Sequence, residues 1–271
     1  MAAARRRLDA ELIRRTLVET KEQAQQAIDD RQVTVNGALA DKATRMVQAG
    51  DAIEVLGPPP TYVGRGGDKL QGALTSFSVD PTGMRCIDVG SSTGGFTDCL
   101  VQVGAVHVVA VDVGRAQLHN RLRRNPLVEV REQTDIRSVV MAEIGAPFDL
   151  VVIDVSFIGL DHILNVVVQL AGPYGQIIAL VKPQFEAERH ETSEGKGVIR
   201  DSSIWHRVLV DAVASARRRG LRVGGVDVSP LKGGAGNVEF FLWLGAKESA
   251  VADVVDEAAV VAAVGRASAL P

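Results

Sequence analysis

Cys86-Ile87-Asp88-Val89-Gly90-Ser91-Ser92-Thr93-Gly94-Gly95-Phe96-Thr97 reads as a short apolar strand, a glycine-rich turn and the start of a helix. Glycines at a strand-to-helix turn let the backbone come close to a ligand, and the free amides at the helix start favour an anionic group such as a carboxylate or phosphate. Asp88, Gly90, Ser91, Gly94 and Gly95 are therefore candidate cofactor contacts. The stretch is not the dinucleotide fingerprint, since Ser92 stands where its second glycine would fall, and no Gly-Lys-Ser/Thr follows to make a Walker loop.

Outward from this turn, apolar runs recur at Arg85 to Val89, His107 to Val111, Val128 to Arg131, Leu150 to Val155 and Gln176 to Val181, each spaced by enough chain for a crossover helix. That alternation predicts a parallel, doubly wound α/β sheet. Ligands bind such a sheet at the carboxyl ends of its strands. Asp112, at the end of the second strand, is placed to meet ribose hydroxyls, and Asp135, past the third, to face an adenine amino group. Asp154, Lys182 and Glu239 stand at further strand ends, and Lys69 lies in Arg65-Gly66-Gly67-Asp68-Lys69-Leu70 just before the first strand. Arg222 to Val228 and Val238 to Leu244 would add a hairpin to the sheet, and the Ala/Val-rich tail from Glu248 a helix packed on it.

Gly57-Pro58-Pro59-Pro60 can continue neither a helix nor a ladder, so it marks a boundary. The expected organisation is a small α+β module over residues 1–57, a linker over 58–63 and the sheet domain over 64–271. In the module, Leu8, Leu12 and Ile13, then Ala24, Ala27 and Ile28, recur at helical spacing. Val33-Thr34-Val35 followed by Asn36-Gly37 reads as a strand and hairpin turn.

Of the 271 residues 46% are hydrophobic and 23% charged, ample for a packed core, and the net charge of -3 excludes a globally basic nucleic-acid coat. Arg5, Arg6, Arg7, Arg14 and Arg15 nonetheless crowd the amino terminus, and Arg115, Arg121, Arg123 and Arg124 follow the second strand. Such clusters neutralise phosphates. Residues 1–60 hold nine basic and nine acidic side chains, so only the local clustering signals RNA. An aromatic content of 4% argues against a stacking platform for single strands. Cys86 and Cys99 have neither disulfide-scaffold nor metal spacing, which fits a reducing cytoplasm, and no metal is expected. The opening residues lack the apolar core of a signal peptide, and the uncharged run Ile163 to Val181 is broken by Gly172-Pro173-Tyr174-Gly175, so it reads as helix, turn and strand rather than a membrane span.

Four ordered motifs together resemble the TlyA family of ribosomal RNA 2'-O-methyltransferases: Tyr62 to Leu70, Asp88 to Thr97, Val181-Lys182-Pro183-Gln184-Phe185-Glu186, and Gly236-Asn237-Val238-Glu239-Phe240-Phe241-Leu242. The resemblance implies a Rossmann-like, FtsJ-like catalytic domain that uses S-adenosylmethionine. Its Lys-Asp-Lys-Glu tetrad falls on Lys69, Asp154, Lys182 and Glu239. It also implies an amino-terminal alpha-L RNA-binding module, matched from about Arg7 to Leu56, with Arg65 as a further RNA contact. The substrate implied is a cytidine ribose in small- and/or large-subunit ribosomal RNA, and the protein is expected to act as a monomer. Lys182 would serve either as general base or, if charged, as the group that orients the hydroxyl and steadies the developing oxyanion. A nonenzymatic ribosome-assembly factor is disfavoured by the intact glycine turn and tetrad. A membrane-active haemolysin, a label the family carries, is disfavoured by the broken apolar run.

Overall fold

Runs of Val, Ile and Leu with no polar alternation must be covered on both faces, which is the environment of a parallel strand between helices. In the computed structural model, which describes residues 5–29, 31–57, 60–195 and 197–270, these runs form the middle of a seven-stranded sheet. The strands are β1 (Arg85–Val89), β2 (His107–Val111), β3 (Val128–Arg131), β4 (Leu150–Ile153), β5 (Gln176–Val181), β6 (Arg222–Val228) and β7 (Phe240–Gly245), in the order β6-β7-β5-β4-β1-β2-β3. The first five are parallel, and β7 runs antiparallel to both β5 and β6. From β1 the chain builds outward to β3 and then returns to β4 on the other side, so the strand order reverses beside β1, where open α/β sheets bind ligands.

The helices are α1 (Gly66–Phe77), α2 (Gly95–Gln102), α3 (Asn120–Arg123), α4 (Leu164–Ala171), α5 (Pro183–Glu186), α6 (Arg189–Glu194), α7 (Ser202–Arg218) and α8 (Glu257–Ser268). Ile87, Val109, Val151, Ile177 and Leu242 project from one sheet face into a core with Leu164, Val167, Leu209 and Ala263 of α4, α7 and α8. Alternation sends the intervening residues to the opposite face, where Phe241 meets Phe96 of α2 at 6.2 Å between ring centroids and Trp243 stacks on Phe77 of α1. The expected tail helix begins later than Glu248, at Glu257, because Asp256 caps it by accepting a hydrogen bond from the Ala259 N–H. The Ile163 to Val181 run is α4, a turn and β5.

The chain divides into two compact units, residues 1–64 and 65–271. In the first, helices Leu8–Arg14 and Lys21–Asp29 pack on a small antiparallel sheet of Ala38–Leu39, Val33–Val35 and Ile53–Val55. Leu8, Leu12, Ala24, Ile28, Val33, Val35 and Ile53 form its core. Asn36 and Gly37 both take positive φ, as a two-residue hairpin turn requires. Pro58 and Pro59 of the proline boundary lie outside the described residues, as do residues 1–4, Asp30, Lys196 and Pro271.

Candidate active site

Strand register brings the predicted residues to one edge. Val89 pairs with Val111 on one side and Ile153 on the other, so Gly90, Asp112 and Asp154 each begin the loop at the same sheet edge. Val181 pairs with Phe240 in the antiparallel β5–β7 ladder, which sets Lys182, leaving β5, beside Glu239, entering β7. Lys69 lies in the first turn of α1, whose start packs against α2: a Cβ on Gly66 would sit 3.2 Å from the Phe96 ring.

The four tetrad residues form two ion pairs. Lys69 Nζ donates to Glu239 Oε2 at 2.5 Å, and both side chains are buried. Lys182 Nζ contacts Asp154 Oδ1 and donates to Ser156 Oγ at 3.0 Å. Buried charges persist only when paired, which holds Lys69 against Glu239, whereas the Lys182–Asp154 pair is partly exposed. Gly233 lets Glu239 into place, since a Cβ there would stand 2.4 Å from Glu239 Oε1. Asn237 ties down the same loop, accepting from the Ile199 N–H and donating to the Gly197 carbonyl.

At the glycine turn, Gly90 has φ +88° and a Cβ would lie 2.4 Å from the Asp154 carbonyl oxygen, so no side chain fits. Gly94 has φ +100° and starts α2. Asp88, fully buried beneath the turn, accepts from Thr97 Oγ1 at 2.6 Å through Oδ2, while Oδ1 has no partner. Burial pushes its carboxyl up to about 7, with Asp154 and Asp112 adding to the rise and the Thr97 hydrogen bond opposing it. Asp112 closes the other side, accepting from the Ser92 and Gly114 N–H groups. A backbone cradle, an orphaned buried carboxylate oxygen and a carboxylate at the next strand end fit a ligand bearing an ammonium group, a carboxylate and ribose hydroxyls.

Asp135 caps the turn Ile136–Ser138, and the Arg137 guanidinium takes both its oxygens, holding it at about 2. Arg65 donates to the Lys232 carbonyl, joining the start of α1 to the loop before Glu239. In the amino-terminal unit, buried Glu11 accepts from Arg14 and Arg15 and lies 3.9 Å from Arg6, while Arg7 pairs with Asp9. The predicted arginines thus carry internal carboxylate partners, yet the side chains of Arg6, Arg7 and Arg14 each remain 49% exposed. Arg5 is exposed. Beyond β2, Arg121 pairs with Asp98 and Arg123 with Glu132.

Three contributors escaped the sequence reading. Glu132 accepts from the Ala116, Gln117 and Leu118 N–H groups and from Arg123, fixing the loop after β2. Ser156 sits on Lys182. Phe157 is 92% exposed with φ +66° and lies 5.1 Å, centroid to centroid, from Phe185, whose ring is 6.0 Å from Lys182 Nζ. The low aromatic content argued against a stacking surface, but Phe157 leaves one exposed ring at this edge, next to Phe185.

This arrangement defines a methyltransferase: the FtsJ-like methyltransferase family matches residues 62–246, and the S4 domain family matches residues 6–53. The chain is 42% identical over 243 residues, 89% of its length and 90% of the relative's, to the 16S/23S rRNA (cytidine-2'-O)-methyltransferase TlyA of Mycobacterium tuberculosis. It is 34% identical to Hemolysin A of Brachyspira hyodysenteriae over 86% of this chain and 97% of that one. A solved Streptococcus thermophilus structure that carries a hemolysin name superposes with a TM-score of 0.78 at 38% identity, covering 99% of this chain and 97% of that one. The chain belongs to the TlyA family of FtsJ-like ribosomal RNA methyltransferases. Among the described residues no helix is long and apolar enough to cross a membrane.

Proposed function

We propose that the protein transfers a methyl group from S-adenosylmethionine to the ribose 2'-hydroxyl of a cytidine in ribosomal RNA, in the cytoplasm where that RNA is assembled. The observation that carries this reading is the meeting, at one sheet edge, of a glycine cradle built for a small zwitterionic nucleoside with two lysine–carboxylate pairs built for a hydroxyl. The choice of cytidine, in small- and/or large-subunit RNA, follows the activity for which the Mycobacterium tuberculosis relative is named.

When bound, S-adenosylmethionine supplies an electrophilic methyl group. Gly90, Ser91, Gly94 and Gly95 would hold its amino-acid end by close backbone approach, with Asp88 beneath, while Asp112 would receive the ribose hydroxyls and Asp135 would border the base. Lys182, paired with Asp154 and bound to Ser156, orients the attacking 2'-hydroxyl and stabilises negative charge growing on its oxygen, while the hydroxyl proton is released to solvent; this geometry favours the orienting role over that of a free general base. Lys69 and Glu239 complete the wall, neutralising each other so that neither perturbs the hydroxyl as an isolated buried charge. Phe157 offers a flat face for the target base. The arginines of the amino-terminal unit, with Arg65, contact phosphates and bring the RNA to the site.

Lys182→Ala tests the assignment. It should lower the methylation rate by about a thousandfold, the scale of losing one preorganised oxyanion donor, with cofactor affinity unchanged. Methylation of ribosomal RNA is followed by mass-spectrometric mapping of 2'-O-methylcytidine, and cofactor binding by calorimetry. Wild-type turnover in this variant would overturn the site.

A further inference from the structure

The loop that leaves β4 runs alongside the single helical turn that leaves β5, and the two segments meet at three successive points. Asp154 and Ser156 hold Lys182 at the start of α5. Phe157 lies against Phe185 one step further. At the far end the Leu160 N–H donates to Glu186 Oε1 at 2.7 Å. Lys182 and Glu186 are four residues apart and thus one turn apart, at opposite ends of the same short element.

The middle contact cannot hold the loop alone. Phe157 is 92% exposed, and a bulky side chain in the left-handed region is strained, so neither burial nor backbone preference keeps it there. Glu186, by contrast, is largely buried, and it fits the loop closely: a Cβ on Gly159 would stand 3.0 Å from Glu186 Oε2. Asp161 and His162 are the charged and titratable neighbours that face it from the loop. Leu160, whose amide it holds, is itself buried.

We propose that Glu186 is the positioning residue of the substrate loop: by accepting the Leu160 amide it holds residues 154–160 against α5, so that Ser156 stays on Lys182 and Phe157 stays poised for the target base. The inference rests on the methyltransferase reading of the site. Glu186 touches neither the hydroxyl nor the cofactor cradle and acts through the loop. Its carboxylate does through one hydrogen bond what a longer loop would need its own core to do.

The experiment compares Glu186→Ala and Glu186→Gln in the full chain, with Lys182→Ala as the reference for the site itself. Removing the acceptor frees the loop, and displacement of about 1 Å at a reacting group costs about a hundredfold in rate, so Glu186→Ala should lower kcat by between ten- and about a hundredfold. Calorimetric affinity for S-adenosylmethionine should stay at the wild-type value, because the glycine cradle is untouched, while the Tm falls modestly as the buried Leu160 N–H loses its acceptor. Hydrogen exchange at the Leu160 amide should accelerate. Glu186→Gln keeps an acceptor oxygen in the same place and should return kcat to within about threefold of wild type, an outcome that a need for negative charge would not give.

Wild-type kcat in Glu186→Ala, with Lys182→Ala inactive, would overturn the proposal and leave the site reading standing. A Glu186→Gln variant as slow as Glu186→Ala would overturn it too. Activity in both Glu186→Ala and Lys182→Ala would instead overturn the site reading. Should Glu186→Ala fail to fold, Gly159→Ala crowds the same carboxylate from the loop side without removing a buried group; it must lower kcat with cofactor affinity intact, and wild-type turnover there overturns the proposal.

Discussion

On the proposed reading, Asp88 sets a binding role against stability. A carboxylate sealed beneath the glycine turn has one oxygen on Thr97 and one on nothing, and burial raises its pKa from 3.8 to about 7. The folded state therefore binds more protons than the unfolded chain between those two values, so this group's contribution to stability falls as pH rises from 3.8 towards about 7. Asp88→Asn keeps an acceptor for Thr97 and removes the titration. The difference in Tm between the variant and wild type should widen in the variant's favour as pH is raised from about 4 to about 7, while the variant loses affinity for S-adenosylmethionine. Calorimetric scans across that range check the first part, and a constant difference would show that the Asp88 pKa is not raised in the folded protein. Asp88 and its neighbours could be found in the sequence because glycines next to strand ends announce a close approach. Phe157 could not: nothing in Ser156-Phe157-Ile158 distinguishes a core phenylalanine from one held outward, and only φ +66° and the Phe185 contact decide it.

The sheet strands were readable from their uninterrupted apolar runs, and even the β6–β7 hairpin followed from its pattern. Their register was not readable, and register is what turns four separated polar residues into two ion pairs. The helix over Leu8–Arg14 was legible from the spacing of Leu8, Leu12 and Ile13, but what secures it was not. Leu8–Arg14 has only seven residues, too few to stand on propensity, and it is secured by packing of Leu8 and Leu12 and by Glu11. The sequence shows an arginine cluster there; the structure shows that the cluster is organised around a buried carboxylate. The hydrogen bonds from Arg14 and Arg15 hold Glu11 at about 2, well below its ordinary 4.5. A depressed carboxylate pKa stabilises the fold above the unfolded value, and that contribution is lost as pH falls from 4.5 towards about 2. Carbon-detected titration of the Glu11 carboxyl should give a midpoint near 2, and amide protection in residues 8–14 should fall over the same window. A midpoint near 4.5 would mean that the arginines are free of it.

The two units have separate cores, one around Leu12 and Ile28 and one around the sheet, and the tetrad and cradle lie wholly in the second. Residues 58–271 should accordingly fold and bind S-adenosylmethionine, since they retain the whole stretch that matches the methyltransferase family. They should nevertheless fail to methylate ribosomal RNA efficiently, because selecting one hydroxyl among thousands draws on binding energy made far from the reacting atoms. On the proposed reading that energy comes from the amino-terminal arginines, among them Arg6, Arg7 and Arg14, whose side chains are each half exposed. Contacts of this kind release counterions, so the affinity of the intact chain for ribosomal RNA should fall linearly on a log–log salt plot with a slope of about -0.7 to -0.9 per phosphate contacted. The fragment 58–271 should bind more weakly with a shallower slope, reflecting only the arginines of the catalytic unit. Comparing affinity and methylation of the two proteins over one salt series separates the alternatives. Equal slopes and equal methylation would show that residues 1–57 contribute nothing to recognition, whereas a shallower slope with lost methylation assigns the phosphate contacts to them.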